Sequence, residues 1–343
     1  MKRVLLVGAA GWGNVGDDLI GRSLTDWAKF AGYAVDVAGG PLESSLMKID
    51  YAMQGSLRSR ISLALAILRA DVVLIGGGGL LDDRLPNFYR PFTRVARLAS
   101  LFKKPYSFVG IGVGPIHDPA SLESYASACA GARAVMVRDA ESADRLKKAS
   151  GALNVTIVPD PVLWGGSERV EVHEGSFECA VNLRNWSPGA SESHGALSTS
   201  AALPVIAEAL RGLPAGARVG LFSMSSLRDD DDLEVLEQLA SLVPDLDCVL
   251  IPADAASIEK AIAASKRVVS MRLHGCLLSV RRGVPVLGIA YDAKIAQQGR
   301  VLGFRTVNLD MSLTAAVIQD FLADDVPVPS GPWGAPRFSL VER

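Results

Sequence analysis

Cysteine and histidine are scarce in this chain, and neither forms a cluster. The 343 residues include four cysteines and four histidines, and no two cysteines stand in a C-x-x-C pair. The cysteines lie far apart in apolar surroundings, so the sequence predicts neither a disulfide framework nor a zinc site and favours a reducing compartment. We expect no metal and no other cofactor. The four are Cys129, Cys179, Cys248 and Cys276.

An excess of charge and long apolar runs are also absent. The 35 basic and 37 acidic residues leave a formal net charge of −2, which gives no long-range attraction to nucleic acid or to anionic lipid. No window approaches the ~18 uninterrupted apolar residues of a membrane span. The apolar run after Lys2 and Arg3 reaches glycine too early for a secretory signal. We therefore expect a globular cytoplasmic protein that binds its ligands in a pocket.

What the sequence does contain is a repeated alternation of short apolar runs and amphipathic stretches. The runs are rich in valine, isoleucine and leucine and end in glycine or proline, as buried parallel strands with crossover helices do. The first half predicts strands near 4–7, 34–38, 71–75, 106–111, 134–137 and 155–158, and helices near 17–31, 57–69, 89–102, 120–129 and 140–149. The second half predicts strands near 178–182, 218–222, 247–251, 267–270 and 285–289, and helices near 200–211, 230–241, 256–264, 274–282 and 293–301.

This alternation predicts an α/β fold of two Rossmann-like, doubly wound domains. An aperiodic stretch from Trp164 to Gly175, rich in small and charged residues, indicates the boundary. We expect an N-terminal domain over 1–166, a C-terminal domain over 176–312, and a C-terminal helix with a Pro/Gly-rich tail over 313–343. A ligand cleft between the two domains would follow.

Glycines gather at the predicted carboxyl ends of strands, where open α/β sheets bind their ligands. Residues 11–18 read GWGNVGDD, residues 76–79 are four glycines, and residues 110–115 read GIGVGP. Glycine in such a position leaves backbone N–H groups bare and admits a ligand close to the chain. Gly16, Gly77 and Gly78 are therefore candidate binding positions.

The first glycine cluster has the spacing of the G-x-G-x-x-G dinucleotide motif, but its context argues against that function. Asp17 and Asp18 occupy the helical turn where a pyrophosphate would bind, and their charges would compete with it. The next strand carries its acid, Asp36, in mid-strand rather than at the end where a ribose-binding carboxylate is expected. An NAD-dependent enzyme is thus the least favoured function. Structural alternatives are helix capping for the two aspartates and a left-handed turn for Asn14.

The sharpest group of functional side chains lies at residues 270–275, which read SMRLHG. Arg272 offers a planar fork for a carboxylate or phosphate, and His274 titrates near neutrality and can act as a general acid or base. A capping histidine is the structural alternative. Lys294, after the next strand, either meets the same anion or is a solvated lysine. Arg138 precedes Asp139 at another predicted strand end. It either contacts a ligand or forms a structural ion pair.

Seven segments, in order and spacing over about residues 1 to 300, resemble the polysaccharide pyruvyl transferase family. The resemblance implies two Rossmann-like domains facing a cleft, similar to B-type glycosyltransferases. It also implies transfer of pyruvate from phosphoenolpyruvate to two hydroxyls of a sugar as a cyclic ketal. The segments are Asn14-Val15-Gly16-Asp17-Asp18, residues 71–78, residues 137–142, Pro159-Asp160-Pro161, Arg272-Leu273-His274-Gly275, Gly283-Val284-Pro285 and Tyr291-Asp292-Ala293-Lys294.

The resemblance also implies roles for single residues. Arg272 and His274 match the family's donor-binding arginine and catalytic histidine, and Arg138 and Asp17 match further site positions. Asp17 is then a candidate to accept the proton of the sugar hydroxyl. Many relatives have a Pro-Gln-Ser-type segment where residues 112–115 stand here, which leaves the role of His117 open.

The expected partners are phosphoenolpyruvate and a sugar acceptor, which is lipid-linked, nucleotide-linked or polymeric. A lipid-linked acceptor would bring the enzyme to the inner face of the membrane. Two other functions stay open: a nucleotide-sugar-dependent glycosyltransferase of the same plan, with the diphosphate near Arg272, and a non-catalytic scaffold of the same pathway. The sequence selects neither the sugar nor the oligomeric state.

Overall fold

The chain folds into two compact units in the computed structural model. One unit contains Met1–Trp12 and Gly16–Gly165, and the other contains Gly13–Val15 and Gly166–Pro332. The predicted boundary segment falls largely outside the residues described. These are 1–38, 48–49, 57–81, 90–114, 116–149, 153–164, 177–189, 195–227, 230–328, 331 and 335–336.

The first unit is built on a parallel seven-stranded sheet in the order β3-β2-β1-β4-β5-β6-β7. This is the Rossmann order, in which the sheet grows outward in both directions from the first strand. Its strands are β1 (Arg3–Val7), β2 (Ala34–Ala38), β3 (Lys48–Ile49), β4 (Val72–Leu81), β5 (Tyr106–Val113), β6 (Val135–Val137) and β7 (Val155–Ile157). Its helices are α1 (Val15–Phe30), α2 (Leu57–Arg69), α3 (Arg90–Leu101), α4 (Pro119–Ala130) and α5 (Ala140–Ala149), with a 3₁₀ turn over Pro161–Trp164.

The second unit repeats the plan with a parallel six-stranded sheet in the order β10-β9-β8-β11-β12-β13. Its strands are β8 (Cys179–Asn182), β9 (Arg218–Phe222), β10 (Asp247–Ile251), β11 (Val268–Ser270), β12 (Val286–Ala290) and β13 (Arg305–Asn308). Its helices are α6 (Thr199–Leu210), α7 (Leu233–Leu242), α8 (Ala255–Ala263), α9 (Leu273–Arg282), α10 (Ala293–Leu302) and α11 (Ala315–Ala323). The predicted fold, two Rossmann-like doubly wound α/β domains, is confirmed.

Burial explains why the strands appear in the sequence as unbroken apolar runs. Every residue of β5 and of β12 is buried, because helices cover both faces of a parallel sheet. The edge strand β13 buries only Val307 among its four residues, so no apolar run predicted it. The two-residue strand β3 was also missed.

Near the C-terminus, α11 packs on α6 and belongs to the second unit.

The glycines of residues 76–79 lie inside β4 rather than after it, as the sequence had suggested. The strand continues to Leu81, and its pairing with β5 shifts register between Gly78 and Leu81. Gly77 and Gly78 have φ of 78° and 76°, a left-handed conformation that is readily available only to glycine. The irregular strand therefore needs glycine where the prediction placed the end of a strand.

Among the described residues, no helix combines the length and apolar character needed to cross a membrane.

Candidate functional site

Arg272 lies between β11 and α9, and two carboxylates hold its guanidinium group. Its Nη2 is 2.6 Å from Asp232 Oδ1, its Nε donates to Asp232 Oδ2 at 3.2 Å, and its Nη1 donates to Asp230 Oδ2 at 2.8 Å. Burial acts to lower the pKa of Arg272, but the two carboxylates outweigh that effect and raise the pKa. The group is thus fixed in its charged form.

The side chain of Asn182, at the end of β8, organises this arginine. Its Oδ1 accepts hydrogen bonds from the Arg272 N–H at 3.0 Å and from Ser270 Oγ at 3.2 Å. Its Nδ2 donates to Asp232 Oδ2 at 3.2 Å, and the Met224 N–H donates to the same oxygen at 3.0 Å. Asp232 occupies the N-cap position of α7 yet makes no capping bond, because its carboxylate points to the arginine instead.

A second arginine, Arg184, joins the network two residues after β8. Its Nε donates to Asp230 Oδ1 at 2.8 Å, and its Nη1 donates to the Tyr291 hydroxyl at 2.6 Å. The guanidinium carbon lies 5.1 Å from the centre of the Tyr291 ring, within cation–π distance. Asp230 therefore bridges Arg184 and Arg272, and Tyr291 extends the network to the end of β12.

His274 and Lys294 stand in the first turns of the next two helices. His274 is half-buried in the first turn of α9. A Cβ at the following residue, Gly275, would lie 2.4 Å from Ser270 Oγ, so glycine is required where α9 starts against β11. Lys294 Nζ is 3.3 Å from Asp292 Oδ2, and Asp292 also accepts from the Lys294 N–H at 3.0 Å. Lys294 is thus paired with the cap of its own helix.

A cavity of about 570 Å³ opens at the carboxyl ends of β12 and β13. Its volume is within the usual range for small-ligand sites. The wall combines an aromatic ring, carboxylates and an amide, groups that can pack against or hydrogen-bond a polar ligand. The side chains that give it this character belong to Tyr291, Asp292, Asn308, Asp310 and Met311.

In the first unit, Arg138 follows β6 and also pairs with a buried aspartate. Its Nη1 donates to Asp160 Oδ2 at 2.9 Å, and the Asp160 side chain is fully buried. The adjacent Asp139 is farther from the guanidinium, at 3.8 Å, and accepts from the Ser142 N–H at the start of α5. A Cβ on Gly112 would lie 2.8 Å from Arg138 Nε. The glycine of β5 thus makes room for the arginine.

Asp17 and the candidate glycines meet where α1 crosses β4. A Cβ on Gly77 would lie 1.7 Å from Ile20 Cγ2, and one on Gly78 would lie 2.7 Å from Asp17 Oδ1. Close packing of the helix therefore accounts for both glycines, and their contact with a ligand stays a prediction. Gly16 lies in the first turn of α1. The neighbouring Asp18 accepts from the Gly11 N–H at 2.5 Å, and burial raises its pKa.

Two other residues weighed in the sequence have clear positions. Asn14 forms an antiparallel bridge with Ser225, and both belong to the second unit. Asp36 lies in mid-strand, as predicted, and pairs with Arg3 of the neighbouring strand at 2.9 Å. A carboxylate so engaged inside the sheet is not placed to bind a ribose.

Sequence reasoning missed Asn182, Arg184, Asp230 and Asp232. Asn182 is the last residue of a predicted strand and Arg184 follows it, so the rule that ligands bind at carboxyl ends would have found both. The two aspartates were assigned to a helix over 230–241, whereas α7 begins at Leu233. Within the described part of the chain, no three His, Cys, Asp or Glu residues converge in a way that could hold a metal ion.

The fold defines a class of two-domain proteins built on Rossmann-like units. A UDP-GlcNAc 2-epimerase from Methanocaldococcus jannaschii superposes with a TM-score of 0.59 at 11% identity, over 98% of this chain and 96% of its own. The Anabaena protein HepE in complex with UDP and glucose gives a TM-score of 0.55 at 11% identity, over 94% of this chain and 90% of its own. At these identities the likeness concerns the fold alone.

The sequence identifies the family within that class. Residues 14–293 match the polysaccharide pyruvyl transferase family. The chain belongs to this family and is an enzyme of polysaccharide pyruvylation. None of the curated proteins matches the chain.

Proposed function

We propose that the protein transfers the pyruvate unit of phosphoenolpyruvate to two hydroxyls of one sugar, forming a cyclic ketal and releasing phosphate. One observation carries the proposal: a buried, permanently charged Arg272 and the half-buried imidazole of His274 stand two residues apart on one strand-to-helix turn. The donor carries a carboxylate and a phosphate, which arginine binds well. The imidazole adds a group able to transfer a proton near neutral pH.

The reaction divides into steps that these residue types suit. His274 in its imidazolium form gives a proton to the methylene carbon of phosphoenolpyruvate, and C2 becomes an oxocarbenium-like centre. A sugar hydroxyl attacks C2 and loses its proton to a base. The C2–O bond to phosphate then breaks, and a second hydroxyl closes the ring while its proton leaves with the phosphate. Arg272 holds the donor in place throughout.

The other roles rest on the family resemblance and on the position of the residues at predicted strand ends. Asp17 is proposed as the base that accepts the sugar's proton, and Arg138, Asn14, Gly16, Gly77, Gly78 and Lys294 as substrate-binding positions. No cofactor enters this scheme. The proposed location is the cytoplasm, at the inner face of the membrane if the acceptor is lipid-linked.

Phosphate release from phosphoenolpyruvate, measured with a panel of sugar acceptors, tests the proposal. General acid–base catalysis contributes about 10²- to 10⁴-fold, so we expect His274→Gln to lose that much of the acceptor-dependent release. The mutant should keep the wild-type unfolding midpoint and still bind phosphoenolpyruvate. Near wild-type turnover in His274→Gln would refute the assignment of the proton donor.

Thermal unfolding of the wild-type protein tests whether the donor is phosphoenolpyruvate or a nucleotide sugar. A ligand that binds the native protein raises its thermal midpoint. A shift with phosphoenolpyruvate and none with nucleotide sugars supports the proposal. The reverse pattern would overturn it in favour of a nucleotide-sugar-dependent glycosyltransferase.

A further inference from the structure

We propose that Arg184 is a second donor-binding cation, and that Asp230 occupies the position that an anionic group of the donor takes when it binds. The inference rests on the proposed function, since it adds a contact to the same substrate. Neither residue lies in the segments that resemble the family.

Two arginines from neighbouring strands converge on one carboxylate. Arg184 follows β8 and Arg272 follows β11, and these strands pair in the sheet. Arg184 Nε reaches Asp230 Oδ1 at 2.8 Å, while Arg272 Nη1 reaches Asp230 Oδ2 at 2.8 Å. Each oxygen of the carboxylate thus accepts from a different guanidinium. The donor's carboxylate has the same planar shape and charge, and its phosphate also offers oxygens to two guanidinium groups, so either can replace the Asp230 carboxylate.

The two aspartates of the network differ in how firmly they are held. The Asp232 side chain is fully buried, whereas that of Asp230 is 21% exposed. Asp232 also accepts from Met224 and Asn182, and the described hydrogen bonds of the Asp230 carboxylate come from the two arginines. Contact with solvent weakens an ion pair by screening, so the partly exposed Asp230 is held less firmly than the fully buried Asp232. Asp232 is therefore the permanent partner of Arg272, and Asp230 is the one that can be displaced.

The backbone allows the exchange. The carbonyl oxygen of Asp230 accepts from Arg272 Nη2 at 3.1 Å, so the side chain can turn outward while the main chain stays in place. Arg184 is kept in position by Tyr291, through the 2.6 Å hydrogen bond and the ring beneath it. With Asp230 turned away, two guanidinium groups face the position that its carboxylate leaves, and among the described partners of this network Asp232 alone offsets their charge. The resulting net positive charge suits a polyanionic donor.

Calorimetric titration of phosphoenolpyruvate into the full chain tests this inference. A charge-assisted hydrogen bond to a dianion is strong enough that Arg184→Gln should weaken the Kd by about tenfold or more, and Arg184→Lys should lose less. In kinetics the loss should appear mainly in the KM for phosphoenolpyruvate. Asp230→Asn should bind the donor as tightly as the wild type or several-fold more tightly, because the competing charge is gone.

Arg218→Gln is the matched control. Arg218 pairs with the carboxylate of Asp247 at 3.0 Å and lies over an aromatic ring at 5.0 Å, in the way that Arg184 does. It stands at the amino end of β9, away from the carboxyl ends where the network lies. Its removal should leave donor affinity within about twofold of the wild type, since it stands at the opposite edge of the sheet from the network.

The outcomes separate the inference from the function it rests on. Equal affinity in Arg184→Gln and wild type would overturn the inference while leaving the proposed function intact. Weaker binding in Asp230→Asn would show that Asp230 positions the arginines and would overturn the exchange. If the wild type does not bind phosphoenolpyruvate, the proposed donor is wrong, and inorganic phosphate becomes the probe. If the wild type binds phosphate and Arg184→Gln does not, the anion site is supported. If the wild type does not bind phosphate either, the anion site is overturned.

Discussion

Each of the two units carries an arginine at the end of a strand, and the two arginines are held differently. Arg138 and Arg272 are similarly buried, and each pairs with a fully buried aspartate. Asp160 gives Arg138 a single contact at 2.9 Å, whereas Asp232 binds Arg272 through both oxygens and Asp230 adds a further contact. In the first unit Gly112 of β5 packs closely against the arginine, whereas in the second unit a polar network holds it.

This difference shows that two sheets with the same strand order can hold an arginine at a strand end by different means, close packing in one and a polar network in the other. Close packing fixes a geometry that leaves little room for adjustment. A polar network with one partly exposed carboxylate can rearrange when a charged ligand binds. We therefore expect the first unit to respond most to added volume and the second to changes of charge.

The largest effect on stability should come from removing the buried partner of Arg272. Asp232→Ala leaves the guanidinium buried and without its bidentate carboxylate, which should cost about 3–5 kcal/mol of unfolding free energy. Asp160→Ala should cost less, about 2–3 kcal/mol, because Asp139 remains 3.8 Å from Arg138. Guanidinium denaturation measures both. The exposed Asp247→Ala, with an expected loss of about 0–1 kcal/mol, is the control, and equal losses for Asp232 and Asp160 would contradict the comparison.

A smaller effect should follow from adding one methyl group in the first unit. Gly77→Ala places a Cβ 1.7 Å from Ile20 Cγ2 at a φ of 78°, so overpacking and backbone strain should together cost about 2–4 kcal/mol. At Gly79, two residues on, a Cβ meets nothing within 4 Å, and Gly79→Ala should change the unfolding free energy by about 0.5 kcal/mol or less. If the two substitutions change the unfolding free energy equally little, α1 does not pack on β4 as closely as described.

The smallest effect concerns the buried thiols, whose reactivity should differ little between the units. Burial raises the pKa of Cys129 in the first unit, and of Cys179 and Cys276 in the second, to about 12. A raised pKa keeps these thiols protonated and unreactive at pH 8. Mass spectrometry after brief alkylation of the native protein should find label mainly on the half-exposed Cys248. Fast labelling of Cys276, which lies in α9 two residues after His274, would mean that the turn carrying His274 opens readily.

Much of the fold could be predicted because buried parallel strands leave a strong pattern in the sequence. The eleven predicted strands all appear in the structure. The strand β13 was not predicted, because it buries a single residue, Val307, and so leaves no apolar run in the sequence. The prediction failed at the start of α7, where residues 230–232 looked like the acidic first turn of a helix. The carboxylates of Asp230 and Asp232 instead bind arginines that are 40 or more residues away in the sequence.

By itself the sequence determined the alternation of strands and helices, the family, and the turn that carries Arg272 and His274, because each depends on residues close together in the chain. Only the tertiary structure decided which charges meet. Arg184, Asp230 and Arg272 come from three separate segments and converge because parallel strands end at one edge of the sheet. The requirement for glycine in β4 is likewise explained only by the tertiary structure, because Asp17 and Ile20 of α1 pack against these positions.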